Sequence, residues 1–433
     1  MQEESVQSLV RFLSRSPSAF HAVSALKEEL EAAGFKQLKE SGPWQLEPGG
    51  KYYVIRNGSS ILSFMLPESR FSGFHIIASH SDSPSYKIKP GPALVSDGRL
   101  IRLNVEKYGS SIDSSWFDRP LSIAGRIVIE EESGLREILV NPDRDLLMIP
   151  SLATHLRRGE PAGKTIEIQN EMLPILGSGS DPQLLIKILA QEAAVRPDQI
   201  ISWDLYLCCR ETPRIWGANR EFIAAPRLDD LQCCYASFQG FLNSCPQDSV
   251  LVHCVFDNEE VGSKTRQGAD SSFLRTVLER ICYGSGLEQE AFRMLIHDSF
   301  LVSADNAHAL HPNYPRYYDP ENRVHLNGGI VLKYQAGQRY ATDAVSAAVV
   351  KKICRDQRIP CQEFTNHSDI AGGGTLGNIS VSQIPLPTAD IGLPQLAMHS
   401  CFETAGVHDT EALIRFSKAF YSNPLPIVKH LSE

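Results

Sequence analysis

Polar side chains that can bind metals or move protons follow several apolar runs of the sequence, most clearly at 249–263, SVLVHCVFDNEEVGS. The run Val250–Phe256 is typical of a strand buried on both faces, and it stops at four polar residues that end in Glu259 and Glu260. Open α/β sheets bind ligands beyond the carboxyl ends of their strands. One glutamate could then bind a metal and the other transfer a proton, although such a pair alone is more typical of a solvated turn.

Four further segments show the same pattern, in which an apolar run stops at Asp, Glu or His. Each has a structural explanation when taken alone, since single histidines are mostly structural and an aspartate often caps a helix. Together the endings favour a metal site, because imidazole and carboxylate suit zinc, carboxylate also suits manganese or cobalt, and one carboxylate can bridge two cations. The four endings are His80 with Asp82, Asp229 with Asp230, Asp305 with His308, and His399.

Several familiar catalytic motifs are missing from the chain. It contains no HExxH, no GxSxG, no glycine-rich loop followed by Lys and Ser or Thr, and no GxGxxG directly after a strand. These absences argue against a single-zinc helix motif, a nucleophilic serine and a nucleotide site. They leave a scattered set of carboxylates and histidines as the candidate chemistry.

Length and composition restrict the organisation and the partners. A chain of 433 residues predicts two domains, and a net charge of -9 without a large basic cluster argues against nucleic acid. Ten cysteines without a CxxC motif indicate a reducing compartment. The acidic amino terminus lacks a signal-peptide core, and no apolar run is long enough to span a membrane. We therefore expect a cytoplasmic protein without a membrane partner.

The order of predicted elements indicates an α/β fold with a central mixed, largely parallel sheet flanked by helices. Residues 1–90 and 225–433 alternate strands and helices and form a discontinuous catalytic domain. Residues 91–224 contain short β-type runs, including one at 165–168, separated by frequent glycine and proline. This middle region is predicted to be an inserted β-rich domain.

The polar segments, taken together, resemble the M18 family of metalloaminopeptidases, the aspartyl aminopeptidases, in a bacterial-type branch. The resemblance covers essentially the whole chain, and its motifs follow the family order. They are ASHSDSP at 78–84, APRLDD at 225–230, DNEEVGS at 257–263, SADNAHALHPNY at 303–314, PQLAMHS at 394–400 and, in the insertion, MIPSLATHLRR at 148–158.

The resemblance implies a two-metal aminopeptidase with two divalent ions per subunit, Zn²⁺ first and Mn²⁺ or Co²⁺ as alternatives. His80 and Asp305 would bind one ion, Glu260 and His399 the other, and Asp229 would bridge them.

Glu259 would be the general base, while Asp82 and His308 would support the ligands from behind. In the family the inserted domain builds dimers, which assemble into a tetrahedral homododecamer. A partner's histidine enters the active site, and His155 matches it.

Substrate preference follows from two further matches. Lys333 corresponds to the family's lysine near the side chain of the substrate, and Tyr340 to a residue that lines the pocket. An acidic first residue of a peptide with a free amino terminus would need such a cation. The loop SDIAGGGTLGNIS, at 368–380, departs from the eukaryotic pattern and leaves a strict Asp or Glu preference in doubt. A broad-specificity aminopeptidase, a two-metal deacylase or carboxypeptidase, and a metal-binding scaffold without catalysis remain alternatives.

Overall fold

The computed structural model describes residues 2–157 and 165–426. Its α-helices alternate with strands on both sides of a long β-rich stretch. They are α1 Gln2–Arg15, α2 Ala19–Ala32, α3 Ile168–Glu171, α4 Leu184–Glu192, α5 Leu228–Leu242, α6 Phe273–Gly284, α7 Gln289–His297, α8 Ala344–Asp356, α9 Leu376–Gln383 and α10 Asp409–Ser422.

The strands form three sheets. In chain order they are β1 Lys36–Gln37, β2 Lys51–Arg56, β3 Ser60–Met65, β4 Phe74–His80, β5 Ser85–Ser96, β6 Leu100–Tyr108, β7 Leu121–Glu131, β8 Gly134–Val140, β9 Ile175–Ser178, β10 Ile200–Cys209, β11 Arg214–Trp216, β12 Phe222–Ala225, β13 Val250–Phe256, β14 Phe300–Ala304, β15 Ala307–His308, β16 Ile330–Tyr334, β17 Cys361–Thr365, β18 Thr388–Gly392, β19 Pro394–Leu396 and β20 Glu403–Gly406.

The central sheet has nine strands in the order β1-β2-β3-β13-β4-β14-β18-β16-β17. The strands β13, β4, β14 and β18 lie side by side and parallel, while β2, β3 and β16 introduce antiparallel pairs. Every residue of these four parallel strands is buried, as expected where helices cover both faces. The structure confirms the predicted α/β class with a mixed, largely parallel sheet.

Strand β13 shows how the sheet separates two cores. Leu251 and Val255 pack on one face with α1, α2, α5, α8 and α10, whereas Val252 and Cys254 pack on the other with α6, α7 and α9. Because side chains alternate along a strand, a continuous apolar run serves both faces at once. The helices thus hold the strand ends, and the polar residues that follow them, at a rigid edge.

Residues between β4 and β11 form a six-stranded antiparallel sheet in the order β8-β7-β10-β5-β6-β9. It begins at Ser85 and ends at Cys209. Strands β11 and β12 instead belong to a five-stranded sheet in the order β11-β12-β20-β19-β15, in which β12 pairs with β20 of the catalytic part. The β-rich character predicted for this region is present. The strand pairings favour boundaries for the proposed insertion near 84 and 210 in place of 91 and 224.

Asn57 and Gly58 both have positive φ, at 57° and 69°, in the tight turn between β2 and β3. The strand predicted at 165–168 is wrong, since Ile168 begins the short helix α3 and the three residues before it are irregular. The β-branched residues there suggested a strand, but strand-forming tendency depends on an available neighbour. Among the described residues, every helix is too short or too polar to traverse a lipid bilayer.

Candidate metal centre and active site

Three adjacent parallel strands bring most of the predicted polar residues to one edge of the central sheet. His80 is the last residue of β4, Glu259 and Glu260 lie in the 3₁₀ turn just beyond β13, and Asp305 follows β14 directly. Strand β4 lies between the other two strands and is parallel to both. Their carboxyl ends therefore meet at one place, as α/β sheets require for a binding site.

Asp229 and His399 reach this place from other elements. Asp229 lies near the start of α5 with non-helical dihedral angles, and its peptide bond to Asp230 is cis. His399 lies in the loop between β19 and β20 with φ 68°. Glu403 joins the two, because its carboxylate accepts the backbone N–H of Asp229 at 3.1 Å and that of His399 at 2.7 Å. No pattern in the sequence indicated this role for Glu403.

The two carboxylate oxygens of Asp229 face different histidines. Oδ1 lies 3.6 Å from Nε2 of His80, and Oδ2 lies 3.3 Å from Nε2 of His399. On the first side Asp305 Oδ1 is 3.8 Å from the same His80 nitrogen. On the second side Glu260 Oε1 is 3.5 Å from the His399 nitrogen. Asp229 therefore stands between two clusters, each with one histidine and one further carboxylate.

The residues present fit bound metal ions. Asp229 Oδ1, Asp230 Oδ1 and Glu260 Oε1 are buried and have no hydrogen-bond partner in the described structure. A buried carboxylate oxygen without a partner is costly, and a cation removes that cost. Potential metal-binding atoms form two groups, and within each group all of the atoms lie within 4.8 Å of one another. The first group comprises His80, Asp229 and Glu260, and the second comprises His80, Asp230 and Asp305. Nitrogen and carboxylate donors of this kind suit zinc.

Asp230 was noticed in the sequence as the neighbour of Asp229 but was given no role. Its Oδ2 accepts the backbone N–H of His80 at 3.1 Å, while its Oδ1 points toward the cluster. The first contact fixes the end of β4, so Asp230 positions His80 as well as adding negative charge. The adjacent aspartates of APRLDD were the only signal of this in the sequence.

The electrostatics of the cluster favour positive charge. Burial opposes protonation of the histidines, but the facing carboxylate of Asp229 and its neighbours raise the pKa of His80 well above its ordinary value and that of His399 to about 10. Burial disfavours the charged form of Asp229, yet the two histidines hold the pKa of this carboxyl below its usual range. Burial and Asp229 raise the pKa of Glu260. The site favours bound cations because several buried carboxylates lie close together and repel one another.

Asp82 organises the turn that carries the two glutamates. Its Oδ1 accepts the backbone N–H of Glu259 and its Oδ2 that of Glu260, both at 3.2 Å, and Oδ2 also accepts the Tyr108 hydroxyl at 2.7 Å. Nδ1 of His80 lies 3.0 Å from the Asp82 carbonyl and 3.4 Å from its carboxylate. Asp82 therefore orients both His80 and the Glu259-Glu260 turn. Tyr108, from strand β6, was not expected from the sequence.

Glu259 lines the cleft, but it is not part of either group of clustered donor atoms. No hydrogen bond to its carboxylate is present in the described part of the chain. Burial raises its pKa to about 8, with further upward contributions from Asp305, Asp82 and Asp229 and a downward one from His80. A carboxylate in this environment holds a proton readily near neutral pH.

The cleft in front of the cluster has an empty volume of about 840 Å³, which includes space open to solvent. Lys333 and Tyr340 both line it. The ammonium of Lys333 donates to the Asn306 carbonyl at 2.9 Å, and lies 3.8 Å from Asp305 Oδ2 and 5.6 Å from the centre of the Tyr340 ring. This buried cation thus lies between Asp305 and the Tyr340 ring, at the wall of the cleft beside the cluster.

His308 is expected to support a ligand, and His155 to enter a partner's cleft. His308 lines the cleft, with its ring centre 6.4 Å from that of Phe364, and within the described structure no hydrogen bond or ion pair joins it to Asp305. His155 is exposed in a 3₁₀ turn, Thr154–Arg157, and is not among the residues that line the cleft of its own chain. Arg158, which ends the MIPSLATHLRR segment, lies outside the described residues.

An α/β sheet with buried histidines and carboxylates at its carboxyl edge defines the chain as a metal-dependent hydrolase of the peptidase type. The model of the M18 peptidases, described as aminopeptidase I zinc metalloproteases, matches residues 12–421. The chain belongs to this family and is a metal-dependent aminopeptidase.

Relatives agree over nearly the full length. A Clostridium acetobutylicum protein named M18 family aminopeptidase 2 is 42% identical over 97% of this chain and 99% of its own. Among solved structures, the Ape4 and Nbr1 complex gives a TM-score of 0.94 at 36% identity, covering 97% of this chain and 86% of that one. The S. cerevisiae mApe1 dodecamer gives a TM-score of 0.84 at 29% identity, covering 96% of both chains.

Removal of one carboxylate from the cluster should raise the melting temperature of the metal-free protein and lower that of the metal-loaded protein. After treatment with a chelator, and at an alkaline pH where the Glu260 carboxyl of the wild type is ionised despite its raised pKa, Glu260→Gln is expected to melt about 2–4 °C above chelated wild type, because one source of carboxylate repulsion is gone. With zinc present the order should invert, since a donor is lost. Thermal melts and elemental analysis measure both effects. The surface variant Glu290→Gln should change neither, and a chelated Glu260→Gln that melts below chelated wild type would contradict this view.

Proposed function

We propose that the protein removes amino-terminal residues from peptides with two divalent ions that share Asp229. His80 and Asp305 would bind one ion, and Glu260 and His399 would bind the other. The observation that carries this proposal is the placement of the two Asp229 oxygens against different histidines, 3.6 and 3.3 Å away. Zinc is the expected ion because the family model describes zinc metalloproteases. Manganese and cobalt are the alternatives for reconstitution.

Bound at this place, the ions would polarise the scissile carbonyl and make a water molecule more acidic. Glu259 takes the proton of that water and returns it to the leaving amine. Its position in the cleft, outside the donor groups, and its raised pKa support this role. Asp82 and Asp230 act through the backbone, since they hold the glutamate turn and His80 in place.

The substrate side chain enters the part of the cleft lined by Lys333 and Tyr340. A buried ammonium is a recognition element for an acidic first residue, so Asp or Glu is the proposed preference. The ammonium also faces Asp305. A metal ion bound to Asp305 would neutralise that carboxylate and leave the ammonium available to an acidic substrate. The glycine-rich segment at 372–374 adjoins this region and gives room for larger side chains, which is why broader specificity is the second candidate.

Self-association is the remaining part of the proposal. The S. cerevisiae mApe1 structure is a dodecamer, and we extend that assembly to this chain as dimers joined into a tetrahedral homododecamer. Leu135, Leu152 and Leu156 of the insertion are exposed apolar residues that suit an interface. His155 lies between two of these leucines in sequence, so the same contact would carry it into a partner's cleft.

The ten unpaired cysteines support a cytoplasmic location.

Glu259→Gln should reduce kcat by about 10²–10⁴-fold, because the amide cannot accept the proton of the attacking water. The zinc content should stay at the wild-type level, since Glu259 is not a proposed ligand. Steady-state kinetics with aminoacyl substrates and elemental analysis test both points, with Glu290→Gln as the control. Unaltered turnover would remove Glu259 from the mechanism.

Lys333→Met should lower kcat/KM for Asp and Glu substrates by about 10- to 100-fold relative to Leu substrates, which is the usual cost of a lost hydrogen bond to a charged group. The enzyme reconstituted with zinc, manganese or cobalt is profiled against a panel of aminoacyl substrates. Lys351→Met, on the surface of α8, serves as the matched control. A wild-type profile that is flat across the panel would show that Lys333 does not select acids.

In the partner's cleft, His155 is the proposed hydrogen-bond donor to the oxyanion that forms when the scissile carbonyl is attacked. His155→Ala should therefore keep the assembly intact but lower turnover by about tenfold or more, the smaller end of the effect of losing such a donor. Because the donor comes from a partner, mixed assemblies of His155→Ala and Glu259→Gln subunits should recover part of the activity that each variant lacks. Size measurement and kinetics after co-assembly test this. An unchanged rate, or an absence of recovery on mixing, would place His155 outside the site.

A further inference from the structure

Asp390, in the middle of β18, is a buried carboxylate that none of the roles above uses. Its Oδ2 accepts the backbone N–H of Ala341 at 2.5 Å, and its Oδ1 accepts the hydroxyl of Thr375 at 2.6 Å. Its own backbone N–H donates to the Thr342 hydroxyl at 2.8 Å. One side chain thus joins two segments that are more than thirty positions apart in the sequence.

The two joined segments are both walls of the cleft. Ala341 directly follows Tyr340, which lines the cleft, and Thr375 lines it together with Gly373 and Gly374. Asp390 itself is not a lining residue, since it lies behind both walls in the central sheet. Its carboxylate is therefore placed to set the distance between the walls without touching a substrate.

The surroundings of Asp390 leave little room for rearrangement. A Cβ added at Gly377, in the first turn of α9, would lie 2.5 Å from Oδ1 of Asp390, so the helix end approaches the carboxylate as only glycine permits. Burial raises the pKa of Asp390, while the charge of Lys333 and the hydroxyls of Ser303 and Thr375 favour the ionised form. Two hydrogen-bond donors and a close helix end define a carboxylate that is tightly held.

We propose that Asp390 is a positioning residue that sets the shape of the pocket for the side chain of the first substrate residue. It does so by holding the Tyr340 segment and the glycine-rich segment at a set spacing on either side of Lys333. This inference rests on the proposed function, in which that part of the cleft receives the substrate side chain. The specificity of the enzyme then depends on a group that no substrate touches.

The proposal separates effects on binding from effects on chemistry. Within the described structure, no hydrogen bond or ion pair joins Asp390 to the proposed metal ligands or to Glu259. The bond-breaking step should therefore proceed at nearly the wild-type rate once substrate is bound. A long substrate side chain, such as Glu or Leu, reaches between the two walls, whereas Ala does not. Loosening of the walls should therefore weaken the discrimination between long and short first residues.

Two variants of nearly unchanged volume test this in the metal-loaded, assembled enzyme. Asp390→Asn removes the charge and one acceptor, and Thr375→Val removes only the hydroxyl on the glycine-rich side. Both should raise KM for Glu and Leu substrates by about tenfold, as expected for the loss of a buried hydrogen bond, with kcat changed by less than about twofold and with Ala substrates little affected. Thr375→Ser keeps the hydroxyl and should retain the wild-type ratio of long to short substrates.

Asp409→Asn is the matched control. Asp409 is equally buried and accepts two backbone N–H groups, those of Asn327 and Gly329, both at 2.8 Å, but it does not line the cleft. It should lose thermal stability without changing the ratio of kcat/KM between Glu and Ala substrates.

Three results are informative. A changed ratio in Asp390→Asn and Thr375→Val, with the wild-type ratio in Asp409→Asn, supports the proposal. A wild-type ratio in the first two variants, or the same altered ratio in all three, would overturn it. A wild-type enzyme without activity on any free-amine substrate would instead overturn the proposed function, and the pocket with it.

Discussion

The concentration of buried carboxylates at one edge of the central sheet is the constraint on which the rest of the structure depends. Six carboxyl groups surround two histidines. Buried carboxylates repel one another, so such a cluster is stable only when positive charge balances it. The structure does not disperse these groups. Backbone hydrogen bonds hold the residues of the cluster in place. Asp82 accepts the N–H groups of Glu259 and Glu260, and Glu403 accepts those of Asp229 and His399. The six are Asp82, Asp229, Asp230, Glu259, Glu260 and Asp305.

The antiparallel sheet formed by β5 to β10 contributes to this anchoring. Its Tyr108 donates to Asp82, and Nδ1 of His399 lies 3.1 Å from the carbonyl oxygen of Ser110. The backbone N–H of Ile112 donates to the His399 carbonyl at 2.9 Å. The segment after β6 therefore orients a proposed ligand of the catalytic part. A change in the packing of the insertion would therefore shift Asp82 and His399, because both form direct hydrogen bonds with it.

Some residues were predictable because their position relative to a strand was visible in the sequence. Val250–Phe256 is apolar except for His253 and is followed by four polar residues that end in Glu259 and Glu260, so both the buried strand and the polar turn were predictable from the order of residues. The family motifs added the separate roles of these glutamates, which no periodicity could supply. Asp230, Tyr108 and Glu403 were missed because their importance lies in the backbone groups and side chains they bind, and these are distant in sequence.

The sequence by itself determined the α/β class, the buried parallel strands and the types of donor atom, because hydrophobic period and composition are local properties. It also determined the M18 membership through the order of short motifs. Only the tertiary structure decided that the two oxygens of Asp229 face different histidines and that Lys333 lies beside Asp305. It alone showed that Asp390 joins two walls of the cleft. Such distances depend on how strands and loops from separate segments pack, and no local pattern encodes them.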